Sequence, residues 1–281
     1  MTTTTELASL PPLDQLSPIE MQRGADPDLL RAELFDILLT SYANSPRSRQ
    51  RTIGPSEMGT PCLRKLAYHV AQAPKVNIRP GWRPVIGTAT HAWIAQALAQ
   101  WNADTGLTRF LLETTVEVGQ INGEPITGSA DVYDRTTATV IDWKIVGVTT
   151  LRAARSGRIK PAYRVQGQLY GRGFVNRGLP VDRVVIAFLP ASGELREAVW
   201  QVADYDETVA ASSLERLTAM TNAIGHSGTK IIPFLPTIDD LCLYCPWWAP
   251  RSTDLAVACS GHAATFALPP PSAPSLADAV L

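Results

Sequence analysis

The chain has 281 residues, 45% of them apolar, enough for one domain with additions or for two small ones. Its 25 Lys and Arg face 26 Asp and Glu, which excludes binding to nucleic acid or membrane through bulk charge but leaves a local basic patch open. Four cysteines are too few for a disulfide-dense secreted scaffold. Met1 to Leu16 lacks a basic start followed by an apolar run, and no G-x-x-x-x-G-K-[ST] phosphate loop occurs. No apolar run approaches the roughly 18–20 residues that span a bilayer. The expectation is a cytoplasmic protein with reduced cysteines and no membrane partner.

Residues 1–25, rich in Thr, Pro and Leu, read as a flexible arm. Asp26 as N-cap and Pro27 at the first helical position open a helix to about Tyr42, with Leu29, Leu30, Leu34, Ile37 and Leu38 at helical spacing. A basic loop (Arg47, Arg49, Arg51) leads to a short helix near Pro61 that runs through Val70. Val85 to Trp101 reads as a buried helix and completes a helical region over 26–104. The period then changes. Phe110–Val118, Pro125–Asp134 and Thr139–Val146 read as strands, and Leu151–Arg158 and Pro161–Arg177 as helices. Strands at Arg183–Leu189 and Arg196–Ala203 precede a helix that starts at Asp204 or Asp206 and ends near Gly225. The order predicts an α/β (α+β) core over 105–230, a mixed central sheet flanked by helices. Residues 231–265 are irregular and rich in Pro, Cys and Trp, and 266–281 form a Pro-rich tail.

The chemistry concentrates in the hairpin from Ile126 to Lys144. If Arg135 to Ala138 form a four-residue loop, Asp134 pairs with Thr139 and Asp131 falls opposite Asp142. Lys144, two residues beyond Asp142, shares its face, while Ala130, Val132, Ile141 and Trp143 make the other face apolar. Two facing carboxylates repel unless compensated. Mg²⁺ or Mn²⁺ would compensate, because both prefer carboxylate oxygens. Such a cation activates water and stabilises a phosphate oxyanion, and a nearby Lys assists. The bland alternative is two turn-proximal aspartates and a surface Lys. His91 stands on an otherwise apolar helix, where an isolated His is more often a satisfied core residue. Beside a carboxylate site it becomes a candidate ligand. Glu113 and Glu117, on the preceding strand, are candidates for a further carboxylate. Gln166 and Tyr170 lie four apart on one helical face.

Cys242-Leu-Tyr-Cys245 is a C-x-x-C, Cys259 follows it, and Cys62 precedes the core. A thioredoxin-like role needs a βα context that this segment lacks. Four thiolates suit a structural Zn²⁺ or a 4Fe–4S cluster equally.

Together, Gly128-x-x-Asp131, Asp142-Trp143-Lys144 and Gln166-x-x-x-Tyr170, preceded by His91, resemble the PD-(D/E)XK nuclease superfamily. The branch they look most like is the RecB-like nucleases and iron–sulfur exonucleases of CRISPR systems, whose smaller free-standing members also occur in phage genomes. Ala130 stands where the superfamily's name has proline. The resemblance implies a restriction-endonuclease-like sheet with His91, Asp131, Asp142 and the Trp143 carbonyl as Mg²⁺ or Mn²⁺ ligands. It further implies that Lys144 assists the water and that Gln166 and Tyr170 support the site and the DNA. One Cys before the core and three after, with Pro61-Cys62-Leu-Arg64-Lys65-x-x-Tyr68 close to the family's Cys-x-Arg…Tyr pattern, imply a 4Fe–4S cluster on Cys62, Cys242, Cys245 and Cys259. The gap from Cys245 to Cys259 is wider than the family's usual one, which makes His262 the alternative fourth ligand. The cluster would staple the C-terminal segment to the N-terminal helices.

Basic residues gather in two segments. Arg47, Arg49, Arg51, Arg64, Lys65, Lys75, Arg79 and Arg83 fall within 46–83 beside one acid, Glu57. Arg152, Arg155, Arg158, Lys160, Arg164, Arg172 and Arg177 fall within 147–180, which has no acid. With Trp82 and Tyr163 among them, they suit a single-strand groove of phosphate contacts and base stacking. From these, Arg64, Lys65, Arg152, Arg155, Arg158, Lys160 and Arg164 are the expected DNA contacts. The function expected is a metal-dependent DNA exonuclease acting mainly on single-stranded ends, in a phage, repair or CRISPR setting. The alternatives are a non-catalytic DNA-binding adaptor on the same fold and a zinc-stapled nuclease.

Overall fold

The computed structural model describes residues 26–44, 52–78, 81–238 and 242–262. The expectations for residues 1–25, for Arg47, Arg49, Arg51 and Arg79, and for 266–281 lie outside them. The chain divides into two units, Met1–Arg49 and Gln50–Leu281. In the first, helix α1 (Pro27–Ala43) begins as its capping residues dictate: the Asp26 side chain accepts from the Asp28 N–H at 2.9 Å, and Pro27 sits in the first turn. None of its residues is buried.

The second unit opens with α2 (Pro55–Met58), α3 (Leu63–Val70) and α4 (Trp82–Thr105). Strands β1 (Phe110–Ile121), β2 (Glu124–Asp134) and β3 (Thr139–Val146) form an antiparallel meander. Helices α5 (Val148–Arg155) and α6 (Pro161–Asn176) supply the crossover that a parallel neighbour requires, and β4 (Arg183–Pro190) pairs parallel to β3. β5 (Val199–Asp204) closes an edge antiparallel to β4, and α7 (Glu207–Ser227) follows, its N-cap Asp206 accepting from the Thr208 N–H. Strand order equals chain order in this five-stranded sheet. β5 starts later than predicted because Leu195–Glu197 form a 3₁₀ turn, closed by the Glu194 N–H donating to Glu197.

Alternation along the strands divides the apolar residues between two layers. Tyr133, Val140, Val184, Ile186 and Phe188 pack with Leu169 and Phe174 of α6, Leu66 of α3 and Leu217 of α7. Val132, Ile141, Val185 and Ala187 form a smaller layer on the opposite face, with Leu98 of α4 and Trp143 against it. Helix α6 approaches the sheet through glycines: a Cβ on Gly167 would stand 2.4 Å from Val184 Cγ1, and one on Gly173 2.5 Å from Val116 Cγ2. The buried helix expected over Val85–Trp101 is corrected here. α4 has no buried residue, and Trp93 is 66% exposed. The helix packs Leu98 against the smaller layer and leaves Trp93 in solvent.

At the turn of the β2–β3 hairpin, Asp134 is held by a two-pronged contact from Arg109, 2.8 Å from Nε and 2.7 Å from Nη2, and by Thr136 N–H and the Thr137 hydroxyl. The Arg109 guanidinium is the main reason its carboxyl sits down at about 2. A carboxyl lowered on folding stabilises above its unfolded value and loses that contribution as pH falls. The hairpin's share of stability therefore fades between about pH 4 and about pH 2. Asp134→Ala is expected to cost about 2 kcal/mol at neutral pH and to flatten the acid limb of a denaturation curve. An unchanged acid limb would contradict this role.

Candidate active site

The hairpin forms with the expected loop and register: Asp134 pairs with Thr139, Tyr133 with Val140 and Val132 with Ile141. The ladder stops one pair short of Asp131 and Asp142. The Trp143 N–H instead donates to Asp131 Oδ2 at 2.8 Å, so the carboxylate takes the place of a backbone acceptor. The β1–β2 ladder also skips this point. Leu112 pairs with Val132 and Thr114 with Ala130, with no pair at Glu113 and Asp131, and Glu113 has φ +43°. That left-handed conformation is costly for a residue with a side chain.

Both strands change alternation here. On β1 the larger core takes Leu111 but then Val116 and Val118; on β2 it takes Tyr133 but then Ala130 and Ile126. Ala130 was expected on the face of Val132, and this correction follows from the irregularity. Distortions of this kind re-aim side chains beside functional sites. Here the result is convergence: His91, Glu113 and Asp131 each offer a ligand atom, all within 4.8 Å of one another. His91 Nδ1, from α4, lies 3.2 Å from Asp131 Oδ1, and Ser129 Oγ donates to Glu113 Oε2 at 3.1 Å. Burial lowers the His91 pKa, but the hydrogen bond and charge of Asp131 outweigh it and hold the imidazole above its ordinary value. Glu117 does not join. It lies exposed further along β1, accepts from Gln120, and is removed as a candidate because the strand carries it away from the break.

Asp142 and Lys144 extend the constellation from β3. Asp142 is 1% exposed, and Lys144 Nζ stands 2.6 Å from its Oδ2. Lys144 donates to Gln166 Oε1 at 2.9 Å, and Gln166 Nε2 donates to the Tyr170 hydroxyl at 3.2 Å. The Tyr163 ring faces the same ammonium at 5.1 Å. The i, i+4 spacing on α6 thus fixes the Lys in one direction. Gly128 permits the packing behind it, since a Cβ there would meet Pro55 at 2.8 Å and Tyr170 at 2.9 Å. Burial pushes the Asp142 carboxyl above the usual carboxylate range; Lys144 opposes this and Asp131 adds to it. The Trp143 side chain leaves on the opposite face to meet Trp200, 5.9 Å between ring centroids.

The donors present suit a hard divalent cation. They are carboxylates and one imidazole, and Asp142 Oδ2 is buried without a well-aligned hydrogen-bond donor despite the nearby ammonium.

Of the expected DNA contacts, Arg152, Arg155, Arg158, Lys160 and Arg164 are exposed on α5, the following loop and the start of α6. Lys160 Nζ lies 6.0 Å from the Tyr163 ring that also faces Lys144, so this basic edge borders the site. Arg155 also donates to the Glu197 carbonyl at 3.1 Å. Arg64 is corrected: it is buried, with a guanidinium nitrogen 3.7 Å from Cys259 Sγ, and so is not presented to a DNA backbone. Its neighbour Lys65 lines the same cavity as the cysteines.

That cavity is lined by Cys62, Cys242, Cys245 and Cys259 together with Tyr68 and Trp248. Residues 242–262 reach it by docking on α3 and the chain after it. Trp247 stacks on Tyr68 and donates to the Ala73 carbonyl at 2.9 Å, and Tyr68 OH donates to Leu255 O at 2.6 Å. Asn77 Nδ2 donates to the carbonyls of Leu243 and Cys245. Cys259, and not His262, lines the cavity, held by its N–H to Trp247 O at 2.7 Å. Burial pushes the Cys245 thiol up to about 11. All four cysteines are free of disulfides.

No family model matches the chain, and no curated protein matches it in sequence. Among solved structures, an alkaline exonuclease from Laribacter hongkongensis is similar at a TM-score of 0.43 and 14% identity, over 67% of this chain and 93% of that one. The same enzyme in complex with dAMP gives 0.42 and 15%, over 66% and 92%. A phage-related exonuclease from Haemophilus somnus 129PT gives 0.41 and 16%, over 57% and 78%. The site's own geometry, rather than these distant likenesses, carries the functional reading.

Proposed function

We propose that the protein is a metal-dependent deoxyribonuclease that acts as an exonuclease mainly on single-stranded DNA ends. One observation carries the reading: a strand irregularity aims Glu113 and Asp131 at His91, while Asp142 and Lys144 stand beside them, with Lys144 held by Gln166. His91, Asp131, Asp142 and the Trp143 carbonyl would hold Mg²⁺ or Mn²⁺, with Glu113 as a further carboxylate. Bound there, the cation supplies Lewis-acid polarisation of a phosphate oxygen and an acidified water.

The chain's own groups do the rest. Lys144, steered by Gln166 and the Tyr163 ring, would place its charge where negative charge develops at the phosphate. The exposed arginines of α5 and its loop, with Lys160, attract the DNA backbone, and the salt dependence of binding should report them.

The four cysteines are proposed to hold a 4Fe–4S cluster. Cys62, Cys242, Cys245 and Cys259 line one cavity, one thiolate for each iron of such a cluster. A structural Zn²⁺ on the same four thiolates is the alternative, and metal analysis separates the two.

The test is digestion of 5′- and 3′-labelled single- and double-stranded oligonucleotides with Mg²⁺, with Mn²⁺ and with EDTA. Cation-dependent shortening of single strands from an end is expected. Binding of DNA with no cleavage under any of these conditions would instead favour a non-catalytic adaptor.

A further inference from the structure

Arg64 is a cation in a place that calls for an anion. The residue is 9% exposed on α3. One guanidinium nitrogen stands 3.7 Å from Cys259 Sγ, and the other donates to the carbonyls of Pro233 at 2.9 Å and Leu235 at 3.1 Å. No carboxylate is among these partners, and Nε has no hydrogen-bond partner among the described residues. A buried guanidinium without a counter-charge is strongly unfavourable, because carbonyl dipoles replace only part of its hydration.

The cysteines beside it can supply the missing charge. A cysteine that ligates a metal does so as thiolate, so a group bound by all four cysteines makes the cavity anionic. Cys259 receives a second donor, the Gly261 N–H at 3.3 Å from its sulfur. Hydrogen bonds to ligating sulfurs and nearby fixed charge set both the retention and the reduction potential of such groups.

We infer that Arg64 is the built-in counter-ion of the loaded four-cysteine site and the positioning residue for Cys259. The inference rests on the four-cysteine reading above. It differs from a purely structural role, in which Arg64 only ties the segment around Pro233 and Leu235 to α3.

The test compares anaerobically purified wild type, Arg64→Gln and Arg64→Lys, each analysed for iron, sulfide and zinc. The cluster's midpoint potential is read by redox titration, and iron release by transfer to a chelator. Removing the cation destabilises the more negative reduced state, so Arg64→Gln should shift the potential negative and release iron about 10–100-fold faster. Arg64→Lys, which keeps the charge without the planar fork, should fall between. If Arg64→Gln does not fold, the smaller shift and faster release in Arg64→Lys carry the same conclusion. A lowered Tm with unchanged potential and release rate would overturn the inference and leave only the structural tie. If the wild type holds one zinc, the zinc release rate is read instead, with the same expected acceleration. Wild type that holds neither iron, sulfide nor zinc would overturn the four-cysteine reading, and the inference with it.

Discussion

Asp142→Asn is expected to abolish cation-dependent DNA hydrolysis, a fall of about 10³-fold or more, in protein that remains folded. The carboxylate is 1% exposed, and burial already holds it above the usual carboxylate range. An uncompensated charge at that depth is unfavourable, and the proposed cation together with Lys144 would remove the penalty. Asn keeps the shape and loses the charge. Lys144 retains its contact with Gln166, so the loss of the ion pair is offset by the loss of a buried anion. Thermal unfolding should move by a few degrees at most while the rate collapses. Single-turnover cleavage of a labelled single strand, measured beside Tm, separates these quantities. Wild-type rates in the variant would remove Asp142 from the chemistry.

The second large effect concerns the cysteines. Cys62→Ser should release the proposed cluster and loosen residues 242–262 on α3, at a cost of about 3–5 kcal/mol. That is the scale of a cross-link closing a comparably long loop. Tm should fall by roughly 10 °C for a chain of this size. The loss should be local at first, because Tyr68, Asn77 and Trp247 still dock the segment through their own hydrogen bonds. Limited proteolysis should therefore cut within 242–262 before the sheet is attacked. A variant with unchanged Tm and unchanged protease resistance would show that the cysteines hold nothing of structural weight.

Much of the hairpin was legible. A polar four-residue loop between two alternating strands determines the register, and the pairs from Asp134–Thr139 to Val132–Ile141 follow. The polar spacing of Gln166 and Tyr170 likewise pointed to one face of α6, where the structure ties them to Lys144. The irregularity at Glu113 and Asp131 was harder to see, although a signal existed. Leu111 and the pair Val116 and Val118 lie on opposite phases of a two-residue period, so one break between them was implied. That break separates Glu113 from Glu117, which the sequence alone treated as equals. Arg64 misled for a different reason: a charged residue in a basic run reads as a solvated one, and only the tertiary arrangement brings it under Cys259. Helix α4 misled in the opposite direction, because Ala and Trp suggest burial but do not reveal how few neighbours a helix on the outside of a sheet will have.

These carboxylates and His91 are proposed to form one divalent-cation site. Anomalous scattering from crystals grown with Mn²⁺, compared between wild type and Asp131→Asn, tests it most directly. An Mn²⁺ peak bounded by His91, Asp131 and Asp142 is expected in the wild type, and its loss in the variant. A wild-type map with no Mn²⁺ among these residues at concentrations that support cleavage would contradict it.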